Sequence, residues 1–124
     1  MWKRKESLNL KIATYNIWNS ESGMPYRIKY IVNEIKLINA DVICLQEVSS
    51  KKLAESIVAN ADYAYWYFDN YPDNEEGLCI MAKMPFLDCE TWIGEANAIY
   101  CSFFYNSQKI AVVNVHLPWD SVLS

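Results

Sequence analysis

Polar and apolar positions alternate from Leu8 to Trp18, with Ile12, Tyr15, Ile17 and Trp18 among the apolar ones, and this period of two predicts a first strand. The period then lengthens. After a Ser20-Glu21-Ser22-Gly23 loop, Pro25 suits the first turn of a helix, and Ile28, Ile31, Val32, Ile35 and Ile38 recur at helical spacing as one stripe. That helix is expected to stop near Asn39-Ala40. From Asp41 to Glu47 the pattern becomes a short, nearly continuous apolar run, as expected for a strand covered on both faces. Ser49 or Ser50 then offers a cap for a second helix, with Leu53 and Ile57 four residues apart on its inner side. Strand, helix, strand and helix in this order predict a right-handed crossover and a parallel strand pair.

The second half of the chain reads differently. Tyr63 to Phe68 is an aromatic run without the interleaved Lys or Arg that a base-stacking platform would call for, so it reads as a strand packed on both faces. Tyr71-Pro72-Asp73-Asn74 is a turn cluster, and Asp73, Glu75 and Glu76 read as a solvated acidic turn. Gly77 to Met84, Leu87 to Ile93, Ala98 to Tyr105 and Lys109 to Leu117 follow as short strands, the last two joined across Asn106-Ser107-Gln108. The expected class is α/β (α+β): a mixed sheet, parallel early and antiparallel later, with helices on its outer face. Pro118 ends the last strand, and Asp120 or Ser121 has the character of a helix cap close to the end of the chain. Residues 1–124 are therefore expected to be the N-terminal part of a single larger domain.

Composition narrows the class. With 52% apolar and 21% charged residues in 124, the chain is globular and long enough to bury a core. No apolar run reaches the roughly 18 residues of a spanning helix. The basic start, Met1 to Lys5, leads into Glu6 and Ser7 and not into the apolar run of a secretory signal, so a cytoplasmic location is the default. Cys44, Cys79, Cys89 and Cys101 match no zinc spacing; Cys44 and Cys79 lie in apolar runs as small hydrophobes, and a disulfide framework is not expected. The net charge of −4, with basic residues scattered, argues against a sequence-independent grip on nucleic acid. A small charged substrate needs only a local field.

Asn16, Glu47 and His116 are polar residues at or near the ends of apolar strands, where open α/β sheets bind ligands. A carboxylate there can hold Mg²⁺, an asparagine can hold a water or phosphate oxygen without adding charge, and a histidine can donate to a phosphoryl oxygen or protonate a leaving group. Each has a structural reading too. Glu47 can simply be solvated past its strand, Asn16 can satisfy neighbouring backbone, and His116 can be a structural hydrogen-bonder. His116 is the sole histidine, which excludes a multi-histidine metal site built from this chain alone.

Four strings occur in order: Ala13-Thr14-Tyr15-Asn16-Ile17-Trp18, Asp41-Val42-Ile43-Cys44-Leu45-Gln46-Glu47-Val48, Gly77-Leu78-Cys79-Ile80-Met81-Ala82-Lys83-Met84-Pro85, and Val113-Asn114-Val115-His116-Leu117. Together they resemble the endonuclease/exonuclease/phosphatase superfamily of DNase I-like fold, from about Leu8 onwards. Lys83 stands where that family often has arginine. The resemblance implies a DNase I-like mixed-sheet sandwich flanked by helices, here incomplete at the C-terminus, and Mg²⁺- or Mn²⁺-dependent hydrolysis of phosphate esters. It implies Glu47 as metal ligand, Asn16 positioning the phosphate or a metal-bound water, and His116 acting on phosphoryl oxygens or the leaving group. Gln46 would orient Glu47 or close the strand end. The family's later Gly-Asp-Phe-Asn-type segment and Asp-His pair have no counterpart in this chain. The corresponding expectations are a phosphate-ester substrate of open identity, incomplete activity of the chain alone, and self-association through the incomplete sheet. A reading of another class is a binding or assembly module that keeps the fold without the chemistry.

Overall fold

Two sheets stack face to face and two helices cover the far side of the larger one in the computed structural model, which describes residues 9–18, 20, 23, 26–94 and 96–117. The elements are β1 (Ile12–Asn16), α1 (Tyr26–Ile38), β2 (Val42–Val48), α2 (Lys51–Asn60), β3 (Tyr65–Asn70), β4 (Gly77–Ala82), β5 (Asp88–Trp92), β6 (Asn97–Tyr105) and β7 (Gln108–His116). The expectations for Leu8, Glu21, Ser22, Pro25, Pro118, Asp120 and Ser121 lie outside the described residues. The larger sheet has the order β1-β2-β4-β3; its β1–β2 pair is parallel and its other pairs are antiparallel, as the pattern predicts. The smaller sheet is the antiparallel meander β5-β6-β7.

Local chemistry accounts for the element ends. Strand β1 stops two residues before the predicted Trp18 because the Asn16 Oδ1 accepts the Trp18 N–H at 2.9 Å, a side-chain turn that bends the backbone to φ 57 at Trp18. The Arg27 guanidinium then pins this exit. It donates to the carbonyls of Ile17, Trp18 and Ser20 and sits 5.1 Å over the Trp18 ring. Helix α1 turns its predicted isoleucine and valine stripe inward, and α2 is capped by Ser50, whose Oγ accepts from Leu53 N at 3.1 Å. Strand β3 begins two residues later than predicted. Tyr63 is buried in the turn after α2, where its hydroxyl donates to the Ala40 carbonyl at 2.6 Å. Asn106 and Ser107, at φ 48 and 65, make the two-residue β6–β7 hairpin.

Strand β2 is buried from both sides. Ile43 and Leu45 face α1 and α2, against Ile31, Ile35, Ala54 and Ile57, while Val42 and Cys44 face the second sheet, against Ile99, Cys101 and Phe103. Full burial of each large aliphatic or aromatic side chain contributes about 1.5–3 kcal/mol, so these two layers dominate the fold. Gly77 must be glycine for a steric reason: a Cβ there would lie 2.1 Å from the Asp69 carbonyl oxygen on β3. All four cysteines are unlinked; Cys44, Cys79 and Cys101 are buried and Cys89 is exposed.

The sheets are also joined by polar groups. The Asn114 Nδ2, on β7, donates to the carbonyls of Leu45 at 2.9 Å and Cys79 at 3.0 Å, and its Oδ1 accepts from Gln46 Nε2 at 2.8 Å. Gln46 Nε2 also reaches Thr14 Oγ1 at 2.9 Å, so one buried amide pair connects β1, β2, β4 and β7. The outer strands β1 and β7 flank a groove lined by Ile12, Thr14, Gln46, Val112 and Asn114, and the smaller sheet exposes Trp92, Phe104, Val113 and Val115. Among the described residues no helix is long and apolar enough to cross a membrane.

Asn114→Leu keeps the branched shape but removes the amide's hydrogen bonds to the Leu45 and Cys79 carbonyls and to Gln46. Chemical denaturation should show a loss of roughly 1.5–4.5 kcal/mol, about 0.5–1.5 kcal/mol for each of the three hydrogen bonds removed; a loss below about 0.5 kcal/mol, typical of a neutral surface change, would show that the amide does not join the sheets.

Candidate functional site

Strict alternation along β2 would bury a carboxylate. Ile43 and Leu45 face the helices, so a period of two places Glu47 in the same apolar layer. The β2–β4 pairing instead shifts register between Leu45 and Val48. Val48 takes the place in the helix-side core, and Glu47 is turned out of it with its backbone at φ 57. Bulges of this kind re-aim a side chain, and holding a non-glycine residue in this region costs about 1–3 kcal/mol. The apolar demand for Val48 and the burial of β2 on both faces supply the compensation.

His116 meets Glu47 from the other sheet. It lies two residues past Asn114 on β7 and therefore on the same inward face. Its Nε2 is 3.9 Å from Glu47 Oε2, with the two side chains 33% and 26% exposed. That separation is longer than a hydrogen bond. No donor among the described residues bonds the Glu47 carboxylate, so it keeps its acceptor capacity for a ligand.

The far side of the imidazole is held by Tyr71, just past the end of β3. The Tyr71 hydroxyl lies 3.1 Å from His116 Nδ1, and the rings stack at 10° with centroids 6.1 Å apart. Tyr71 is itself fixed by its N–H donating to the Glu76 carbonyl at 2.8 Å and by Asn70 Nδ2 donating to its carbonyl at 3.0 Å. Burial pushes the Tyr71 phenol up to about 12, with Glu76 and Glu47 adding to the shift. The phenol therefore stays protonated across the neutral range and can donate to Nδ1, leaving the neutral ring's own proton on Nε2, toward Glu47.

Of the three residues singled out in the sequence, the structure brings Glu47 and His116 together. Asn16 stands on the same strand-end rim, register partner of Gln46 in the parallel pair, and no contact joins it to the other two. Its Oδ1 is engaged by Trp18, and among the described residues its Nδ2 has no hydrogen-bond partner. The Gln46 side chain makes no hydrogen bond to Glu47; it closes the strand end through Asn114, Thr14 and the Cys44 carbonyl. Lys83 lies at the opposite end of the sheet, past β4, and donates to Asn39 Oδ1. Sequence reasoning missed two residues. Asn114 carried a usable signal, a polar residue in an apolar strand at the parity of His116. Tyr71 carried none, because its contact spans 45 positions.

Among the described residues no group of three or more His, Cys, Asp or Glu side chains is clustered tightly enough to form a protein-only metal cage. A single carboxylate facing an imidazole, with no hydrogen-bond donor among the described residues, fits a hard cation such as Mg²⁺ or Mn²⁺ that keeps several waters and shares its shell with substrate. It does not fit a structural zinc site.

Tyr71→Phe keeps the stacked ring and removes the donor to Nδ1. Since the chain has one histidine, its ring-nitrogen NMR spectrum reads this directly: the unaltered chain should show the Nε2–H tautomer and the variant a mixture. Identical spectra would show that Tyr71 does not set the tautomer.

Residues 13–120 match the model of the Endonuclease/Exonuclease/phosphatase family. No curated protein matches the chain by sequence. Among solved structures it is similar to humanized D. rerio TDP2 carrying 14 mutations (TM-score 0.79, 19% identity, 91% of this chain and 49% of that one). It is similar to the human nocturnin catalytic domain with bound sulfate anion (TM-score 0.77, 16% identity, 90% and 51%). It also resembles sphingomyelinase C from Streptomyces griseocarneus (TM-score 0.68, 22% identity, 90% and 50%). The chain spans about half the length of each of these structures.

Proposed function

The chain belongs to the endonuclease/exonuclease/phosphatase family, and from that premise we propose that it carries the metal-binding side of a divalent-metal-dependent phosphoester hydrolase, as the N-terminal portion of the domain. The observation that carries this reading is the bulge that exposes the Glu47 carboxylate opposite His116 Nε2. Glu47 would hold Mg²⁺ or Mn²⁺, which when bound supplies Lewis acidity and a template for the attacking water. The Nε2–H of His116 would donate to a phosphoryl oxygen or to the leaving oxygen, a tautomer supported by the Tyr71 hydroxyl beside Nδ1. Asn16 Nδ2 can bind a second phosphate oxygen without adding charge.

The kinds of solved structure the fold resembles support an anionic phosphorus substrate: a sphingomyelinase, and a catalytic domain with a tetrahedral anion bound. The candidate esters are those of nucleic acid, of a phospholipid and of a small metabolite. The net charge of −4 favours the last two over non-specific nucleic acid. Because the chain spans about half of those structures, full activity is proposed to need residues beyond the ones seen here.

Titrating Mn²⁺ into the chain and into Glu47→Gln, followed by calorimetry or by the Mn²⁺ paramagnetic signal, tests the assignment without requiring turnover. Binding should weaken at least by the ~10-fold that even loss of an outer-shell partner costs. Equal binding by both proteins would remove Glu47 from the metal site and favour a fold-retaining binding module.

A further inference from the structure

Cys89 on β5 and Cys101 on β6 are direct register partners, and their Sγ atoms lie 3.4 Å apart. Antiparallel partners hold their Cα atoms about 4.5–5.5 Å apart, inside the roughly 4.4–6.8 Å range that a disulfide accepts. Bond formation there calls for side-chain rotation and no strand movement. The two sulfurs differ in access: Cys89 is exposed on the outer strand of its sheet, and Cys101 is fully buried between the sheets. Cys44 and Cys79 are both buried in the other sheet, and neither has a cysteine as register partner. Burial pushes the thiols of Cys89 and Cys101 up, while their mutual contact draws Cys89 back down and Cys101 further up. Cys89 is thus the sulfur of the pair that solvent reaches and that ionises first.

We infer that Cys89 and Cys101 form an oxidisable cross-strand pair, a modification site that closes to an intrachain disulfide with a small-molecule disulfide such as oxidised glutathione as the oxidant. Cys89 loses its proton and its sulfur attacks one sulfur of the oxidant, breaking that S–S bond and releasing one reduced glutathione. Cys101 then loses its proton and attacks Cys89 Sγ, forming the protein disulfide and releasing the second reduced glutathione. The protein gives up two electrons and two protons, and one glutathione disulfide becomes two thiols. Because both thiols are pushed up, little of the attacking thiolate is present, and the exchange is slow and proceeds with excess oxidant. The link ties down β5, which among the described residues pairs only with β6 and carries Thr91, whose Oγ1 donates to Asp69 Oδ2 and contacts the Tyr67 hydroxyl, both at 2.6 Å, on the other sheet.

The test incubates the full native chain with excess oxidised glutathione, digests it without reduction and maps the peptides by mass spectrometry. One peptide pair joining Cys89 and Cys101 should appear, lighter by two hydrogens than its parts and reversed by dithiothreitol, with Cys44 and Cys79 still free. Cys101→Ala should stop the reaction at a glutathione adduct on Cys89. A stable glutathione adduct on Cys89 in the unaltered chain, linkage to Cys44 or Cys79 in comparable yield, or no linkage at all would each overturn the inference.

Discussion

The register shift in β2 is the constraint on which the site depends. A strand buried on both faces has no place for a carboxylate, and desolvating an ionised one without a partner would far exceed what any single contact returns. The chain resolves the conflict by giving up the period of two for one step. Val48 completes the layer begun by Ile43 and Leu45, and Glu47 is forced into a left-handed backbone at the sheet's rim. The energy for this comes from the helix-side core, which includes Ile35 and Ile57, both fully buried.

A rim carboxylate has chemical value only if a partner group arrives in a fixed place, and the inter-sheet amides see to that. Gln46 and Asn114 bond one another in the buried layer, and each belongs to a strand that also supplies a site residue: Glu47 immediately after Gln46, His116 two positions after Asn114. The distance between carboxylate and imidazole is therefore constrained by a buried polar contact next to it. Buried polar pairs of this kind are demanding when incomplete and specific when satisfied. Tyr71 adds the third constraint by stacking on the ring and holding its hydroxyl 3.1 Å from Nδ1.

Much of this was legible in the sequence, for reasons that separate local from non-local effects. The α1 stripe, the α2 cap, the parallel start and the antiparallel continuation follow from periodicity and capping, which act over a few residues. The division into two sheets came from the family strings and not from the period. The bulge was not read, although Ile43, Leu45 and Val48 spell it out once one asks which residues the helices must cover. Strand-end position makes Asn16, Glu47 and His116 candidates and the family strings single them out, whereas the acidic turn reads as solvated without its link through Glu76 to Tyr71 and His116. Contacts of that range depend on how the sheets stack, and no local pattern encodes them.

If the sheet imposes the backbone of Glu47, a residue free of the left-handed penalty should fit there better than one that bears it. Comparing the unfolding free energies of Glu47→Gly and Glu47→Ala measures this directly, since neither retains the carboxylate. The glycine variant should be the more stable by about 1 kcal/mol. An alanine variant as stable as glycine or more so, the result at an ordinary strand position, would contradict a bulge that holds Glu47 at positive φ.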